Sequence, residues 1–181
     1  MSIYRRARVP GASYFFTVNL EDRSSPLLIE RVDALRQAFL LTRRELPFLI
    51  DAIVILPDHL HCIWTLPDSD DDFPSRWQRI KGRFSRACPD GETISTSRGR
   101  KRERGIWQRR YWEHLLRDER DFAGHVDYIH YNPVKHGYAD RVLDWTHSSF
   151  HRYVRERTLP PDWAGTRASR LPLDGYGERS S

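Results

Sequence analysis

His59-x-His61 and Tyr128-x-x-x-Asn132 are the two residue pairs in this chain whose types and spacing could do chemistry. The histidines lie in Ile53-Val54-Ile55-Leu56-Pro57-Asp58-His59-Leu60-His61-Cys62-Ile63-Trp64, which reads as two β-strands broken at Pro57-Asp58. On the second strand a period of two turns both imidazoles to one face, with Leu60 and Cys62 on the other. Asp127-Tyr128-Ile129-His130-Tyr131-Asn132 reads as helix, where Tyr128 and Asn132 are neighbours one turn apart. Two imidazoles and a carboxamide can hold a divalent metal, and a tyrosine hydroxyl beside such a metal is a ready nucleophile. The combination points to cleavage of a DNA strand through a phosphotyrosine link. Nitrogen ligands suit several first-row ions, while phosphate chemistry and an amide oxygen tilt the choice toward Mn²⁺ or Mg²⁺.

Plainer readings exist for each pair. A lone surface histidine is usually polar surface, and a helix can pack its tyrosine on a sheet while its asparagine caps its own C-terminus. Tyr131 and Tyr111 are rival nucleophiles, and His130 and His125 are rival ligands. Helical geometry turns Val126 and Ile129, with Phe122, toward the sheet and leaves Tyr128 and Asn132 as a stripe bordering its edge.

The elements that must position these residues follow from periodicity. Ser13-Tyr14-Phe15-Phe16-Thr17-Val18-Asn19-Leu20 is β-branched and aromatic, a first strand. From about 30 to 44, Val32, Leu35, Phe39 and Thr42 recur at helical spacing. Residues 48–56 and 59–66 are the second and third strands. A second helix spans 74–88 with Trp77, Ile80, Phe84 and Cys88 on one face. Tyr111-Trp112-Glu113-His114-Leu115-Leu116 makes a fourth strand, and Asp118 is the N-cap of a third helix expected to stop near Asn132, because Pro133 disfavours helical geometry before it. The order predicts an α+β fold, a ferredoxin-like split βαβ antiparallel sheet with an added C-terminal catalytic helix and tail. The catalytic domain is expected over 1–140 and the tail over 141–181, where the apolar signal thins.

The second helix carries Arg76, Arg79, Arg83 and Arg86, expected on a single face opposite its apolar stripe as a track for phosphates. Asp70, Asp71 and Asp72 just before it read as charges complementing the helix dipole. Residues 90–105 are rich in Gly, Ser, Thr and Arg without an apolar period, a mobile basic loop. A net charge of +5 and a sequence pI near 9.5 favour a polyanionic partner. With 181 residues, 39% of them hydrophobic and 12% aromatic, the chain has the makings of one folded domain. Two distant cysteines, Cys62 and Cys88, fit a reduced compartment. With no apolar leader and no membrane-length stretch, the protein is expected to be soluble and intracellular.

Pro57-Asp58-His59-Leu60-His61 resembles the histidine–hydrophobic–histidine (HUH) signature of single-stranded DNA endonucleases. Trp107-Gln108-Arg109-Arg110-Tyr111-Trp112-Glu113-His114 and Asp127-Tyr128-Ile129-His130-Tyr131-Asn132-Pro133-Val134-Lys135-His136-Gly137 resemble the REP-associated tyrosine transposases, relatives of the IS200/IS605 transposases. The similarity extends from Tyr4-Arg5-Arg6 to Asp162-Trp163-Ala164-Gly165, and the basic loop is longer than the family's usual connection. The resemblance implies Tyr128 as the nucleophile, with Asn132 completing the metal site of His59 and His61 where IS200 transposases tend to carry glutamine. It further implies single-stranded or hairpin DNA of repeated extragenic palindromes as partner, a monomer or homodimer, and a 5′-phosphotyrosine intermediate. It also implies a cytoplasmic location in a bacterium, on the nucleoid when bound to DNA. Arg5, Arg6 and Lys135 join the helix arginines as expected DNA contacts. The alternatives are a non-catalytic hairpin-binding protein on the same scaffold and a metal hydrolase that uses water.

Overall fold

Alternation of side chains along four strands divides this protein into two layers, one on each face of a sheet. The structure is a computed structural model and describes residues 7–89 and 104–165. Strands β1 (Ser13–Asn19), β2 (Leu49–Ile55), β3 (His59–Thr65) and β4 (Trp112–Leu115) lie in the order β2-β3-β1-β4, every neighbour antiparallel. A short helix α1 (Leu27–Glu30) leads into α2 (Val32–Glu45). Helix α3 (Phe73–Ala87) follows β3, and α4 (Glu119–Lys135) follows β4. This is the ferredoxin-like split βαβ arrangement expected from the periodicity.

Tyr14, Phe16 and Val18 of β1 join Leu60, Cys62 and Trp64 of β3 beneath α2 and α3, where Trp64 stacks on Trp77 at 4.2 Å between ring centres. Phe15 of β1, Ala52 and Val54 of β2 and Ile63 of β3 fill the other face under Val126, Tyr128 and Ile129 of α4. Burial on both sides makes the central strands unable to slip register, since a one-residue shift would exchange the two sets. His59 and His61 therefore share the α4 face, as the period-two reading expected.

Asp72 caps α3 by accepting from the Ser75 backbone N–H at 3.3 Å, and Asp118 caps α4 from Asp121 at 2.8 Å. The expected arginine track on α3 is broken at its first member. Arg76 is 1% exposed, and its guanidinium grips both Asp70 carboxylate oxygens (3.0 and 2.7 Å) and the Asp72 and Pro47 carbonyls. Helical period alone could not place it, because an Asp six residues away in the preceding loop turned it inward. Arg79 and Arg83 lean across to Glu45 of α2, and Arg83 also donates to Thr42. Of the four arginines, Arg79 and Arg86 keep exposed positions. Arg76→Ala is accordingly expected to lower unfolding free energy by about 3 kcal/mol, because it removes one partner of a buried ion pair. Urea denaturation checks this; a loss below about 0.5 kcal/mol would return Arg76 to the surface class.

Helix α4 runs through Pro133 to Lys135 rather than stopping at Asn132. The proline removes only the bond to the Ile129 carbonyl, and the last turn is held by His136 N–H to Asn132 O at 3.0 Å. The stop is Gly137, at φ +77°, with Gly137 N–H on Val134 O (3.0 Å) and Tyr138 N–H on Pro133 O (2.8 Å). That pair of bonds is the Schellman closure, which needs a left-handed residue at this point.

Residues 142–165, expected as part of a tail, fold back on β2. A 3₁₀ turn (Val142–Asp144) and helix α5 (Phe150–Arg155) carry Val142 and Phe150 into a cluster with Tyr131 and Val134. The free edge of β2 is satisfied here: Ser149 N–H donates to Ile53 O (2.8 Å), Ile53 N–H to Ser149 Oγ (2.9 Å), Ile55 N–H to His147 O (2.9 Å) and Trp145 Nε1 to Ile55 O (3.0 Å). An edge strand must have its backbone groups covered, and a segment that does so through hydrogen bonds shows no apolar period. Arg5, Arg6, most of the basic loop and residues 166–181 lie outside the described residues.

Candidate active site

The last turn of strand pairing between β1 and β3 sets the site. Thr17 pairs with His61 and Asn19 with His59, so both imidazoles emerge toward α4 beside two polar β1 side chains. His59 is 4% and His61 2% exposed. Their rings stand 4.9 Å apart, and the Tyr128 ring meets His61 edge-on at 5.3 Å. Asn132 is fully buried one turn along α4.

Each imidazole has one nitrogen engaged. His59 Nδ1 contacts Asp58 Oδ1 at 2.7 Å, and Asp58 Oδ2 takes Arg23 Nε at 2.6 Å. His61 Nδ1 contacts Thr17 Oγ1 at 2.8 Å. His61 Nε2 and both amide atoms of Asn132 are buried without a hydrogen-bond partner among the described residues. Buried polar atoms left unpaired are costly, so these three are suited to a partner that the chain itself does not supply. A histidine nitrogen and an amide oxygen are the donors a divalent ion takes, so the residues fit a metal.

Burial pushes the His59 imidazole down to about 4, against the raising effect of Asp58, and pushes His61 well below its ordinary value. Both are thus neutral at pH 7, the form that ligates metal. His130, packed on Phe150 and Tyr153 and bonded to Ser149 Oγ at 3.0 Å, is lowered to about 3 by burial and by Arg152. Each of these groups takes up a proton on unfolding below about pH 6.5, the ordinary histidine value. The unfolded state then binds more protons, so stability falls as pH drops from about 6.5 toward 4. Melting temperature is expected to decline steadily between pH 7 and pH 5 in metal-free buffer, and His130→Asn to remove about one proton from the slope. A pH-independent melting temperature over that range would show that these imidazoles are not held neutral.

The rivals separate by location. Tyr131 is buried with Val134, Val142 and Phe150, away from the histidines. Tyr111 packs on Phe16 and Trp77, on the opposite face of the sheet. Tyr128 alone of the three joins the cluster beneath α4, touching Phe15 and His61, with Lys135 Nζ 4.7 Å above its ring. His130 faces Ser149 rather than the site. His125 belongs to another group: His114, Asp121 and His125 bring donor atoms within 4.8 Å of one another and could hold a metal ion. There Asp121 Oδ2 contacts His114 Nε2 at 2.9 Å and Arg117 N at 3.2 Å, while Oδ1 lies 3.2 Å from His125 Nδ1. Burial alone would raise the Asp121 carboxyl, but hydrogen bonds from His114 and Arg117 hold it below its ordinary value. Thr17, Arg23, Asp58 and His136, whose ring lies 5.5 Å from His59, escaped the sequence reading. Asp58 carried a signal, its place directly before His59 in the stretch that resembles the HUH signature, but the residues alone assign it no role beyond the strand break.

No family model matches the chain. A REP-associated tyrosine transposase of Escherichia coli (strain K12) is 50% identical over 165 residues, 91% of this chain and 92% of that relative. The chain belongs to the REP-associated tyrosine transposase family. A Haemophilus influenzae relative is 47% identical over 166 residues, 91% of this chain and 94% of its own length. A solved structure of a REP-associated tyrosine transposase bound to a REP hairpin superimposes with a TM-score of 0.84 at 45% identity, covering 100% of this chain and 99% of that one. No helix among the described residues is long and apolar enough to cross a membrane.

Proposed function

We propose that this chain is a metal-dependent single-strand DNA endonuclease and strand transferase acting on REP-type hairpins, with Tyr128 as its nucleophile. The observation that carries the reading is the Tyr128 ring set against His61, with His61 Nε2 and both amide atoms of Asn132 buried and without a hydrogen-bond partner among the described residues. His59, His61 and Asn132 would hold Mg²⁺ or Mn²⁺, which when bound supplies Lewis-acid polarisation of the scissile phosphate. Tyr128 Oη attacks phosphorus, the new P–O bond forms on the 5′ side and the bond to the 3′-oxygen breaks. One proton passes overall from the phenol to the 3′-oxygen, leaving a free 3′-OH and a 5′-phosphotyrosine. The linkage conserves the phosphodiester, so a 3′-OH can reverse the step and rejoin strands. Packing of Tyr128 on Phe15 and His61 fixes the ring and excludes water from its inner side.

Incubating the protein with 5′- and 3′-end-labelled hairpin DNA and Mn²⁺, then resolving the products on a denaturing gel, tests the reading. A covalent adduct carrying the strand 3′ of the break is expected. Cleavage without an adduct would mean a water nucleophile, and binding without cleavage a hairpin-binding protein; either outcome overturns the proposal.

Lys135, exposed above Tyr128, is proposed to contact DNA beside the break. Arg79 and Arg86 offer exposed charge on α3, across the sheet from Tyr128. Replacing both with alanine is expected to flatten the dependence of log K on log salt by about one to two units, at about 0.7–0.9 per lost phosphate contact. An unchanged slope in filter binding would make that face a solvated one, its charge already answered by Glu45.

A further inference from the structure

Asp58 is buried, yet its carboxylate belongs to no helix cap. Its backbone carbonyl accepts from Leu20 N–H at 2.8 Å, which pins the turn between β2 and β3 to the end of β1. The side chain then spans two neighbours, His59 Nδ1 at 2.7 Å and Arg23 Nε at 2.6 Å. A carboxylate only accepts, so the nitrogen facing it must carry the proton. Arg23 Nη2 also lies 3.4 Å from that nitrogen, but two donors cannot bond each other, and the shorter carboxylate contact decides the tautomer. With Nδ1 protonated and held, the lone pair of His59 is on Nε2.

We propose that Asp58 is a positioning residue: it fixes the His59 ring with Nε2 toward the metal site and raises that nitrogen's strength as a ligand. The proposal rests on the metal reading given above. His61 has only a neutral partner, the Thr17 hydroxyl, so the two histidines are supported unequally and His59 is the one tuned by charge. A carboxylate behind an imidazole both orients the ring and increases its basicity toward a metal. Arg23, half exposed and also bonded to Asn19, balances the buried negative charge of Asp58. Asp58 thereby answers a second question, how an acid sits buried beside a site without becoming a ligand itself: both of its oxygens are already committed.

The test uses the full-length protein and Mn²⁺ alone, by calorimetry, with the absorption spectrum of the Co²⁺ form as a second readout. Asp58→Asn keeps the shape and an accepting oxygen but loses the charge, whereas Asp58→Ala loses both. Mn²⁺ affinity is expected to fall about 10–100-fold in Asp58→Ala and by a smaller factor in Asp58→Asn, in line with losses seen when such supporting partners are removed. The Co²⁺ band is expected to shift in both, while the melting temperature of metal-free Asp58→Asn stays near wild type. If Asp58→Ala fails to fold, Asp58→Asn carries the comparison. Unchanged Mn²⁺ affinity and an unchanged Co²⁺ spectrum in Asp58→Asn, with wild type binding both ions, overturns the positioning role and leaves the metal reading standing. Wild-type protein that binds neither ion overturns the metal reading, and the role of Asp58 with it.

Discussion

Tyr128→Phe is expected to reduce strand cleavage by on the order of 10⁴-fold or more, the scale of losing a nucleophile outright. Hairpin affinity should change little, because the phosphate and base contacts that set it do not involve the phenolic oxygen. The ring itself should stay in place: its contacts with Phe15 and His61 are made by carbon atoms, and phenylalanine retains them. The measurement is a single-turnover cleavage rate beside a binding isotherm for the same hairpin, with the melting temperature as a folding control. If Tyr128→Phe cleaves at the wild-type rate while Tyr131→Phe or Tyr111→Phe does not, the nucleophile has been misassigned. Tyr131 is buried among Val134, Val142 and Phe150, apart from the histidine pair.

Removing His59 or His61 is expected to have the next largest effect. A bound divalent ion contributes several kcal/mol of charge stabilisation at a phosphoryl oxygen, so His59→Ala or His61→Ala should slow cleavage by about 10³-fold. Asn132→Ala should be milder and should recover in part with excess Mn²⁺, since a carboxamide is the weaker ligand for a first-row ion. His61→Ala also opens space beneath Tyr128, so its metal-free melting temperature must be read beside its rate. Mn²⁺ titration of the cleavage rate separates the two effects: a ligand defect moves the midpoint, a packing defect does not. Three variants with wild-type Mn²⁺ dependence would remove the metal from these side chains and direct attention to His114, Asp121 and His125, a second group among the described residues able to hold one.

Much of this protein is legible in its residues because the governing interactions are local. Strand alternation separates Leu60 and Cys62 from His59 and His61 whatever else the chain does, and the same period orders Tyr14, Phe16 and Val18 against Phe15 and Thr17. A helical period places Tyr128 and Asn132 one turn apart, and the Asp118 cap marks where that helix begins. Those regularities depend on bond geometry repeated every two or 3.6 residues, so they survive without knowledge of any partner.

What the residues could not show depends on which distant groups meet. Arg76 looked like one of four arginines on a face until the loop folded Asp70 against it. Pro133 looked like a helix stop, yet the left-handed closure at Gly137 placed the end three residues later, with Val134 packed beneath it. Residues 142–165 looked like a thinning tail because they are held to β2 by hydrogen bonds from Trp145, Ser149, Arg152 and Tyr153, which leave no apolar period along the chain. Spacing alone left Tyr131 and Tyr111 as rivals of Tyr128, and the three part only in space: Tyr128 lies against His61, Tyr131 with Val134, and Tyr111 on Trp77. Asp58, one residue from a histidine and read as a break, acquired its partners Arg23 and Leu20 only when β1 closed over the turn. Periodicity is written along the chain, whereas desolvation and charge pairing are decided by neighbours in space, and a single sequence does not say who they are.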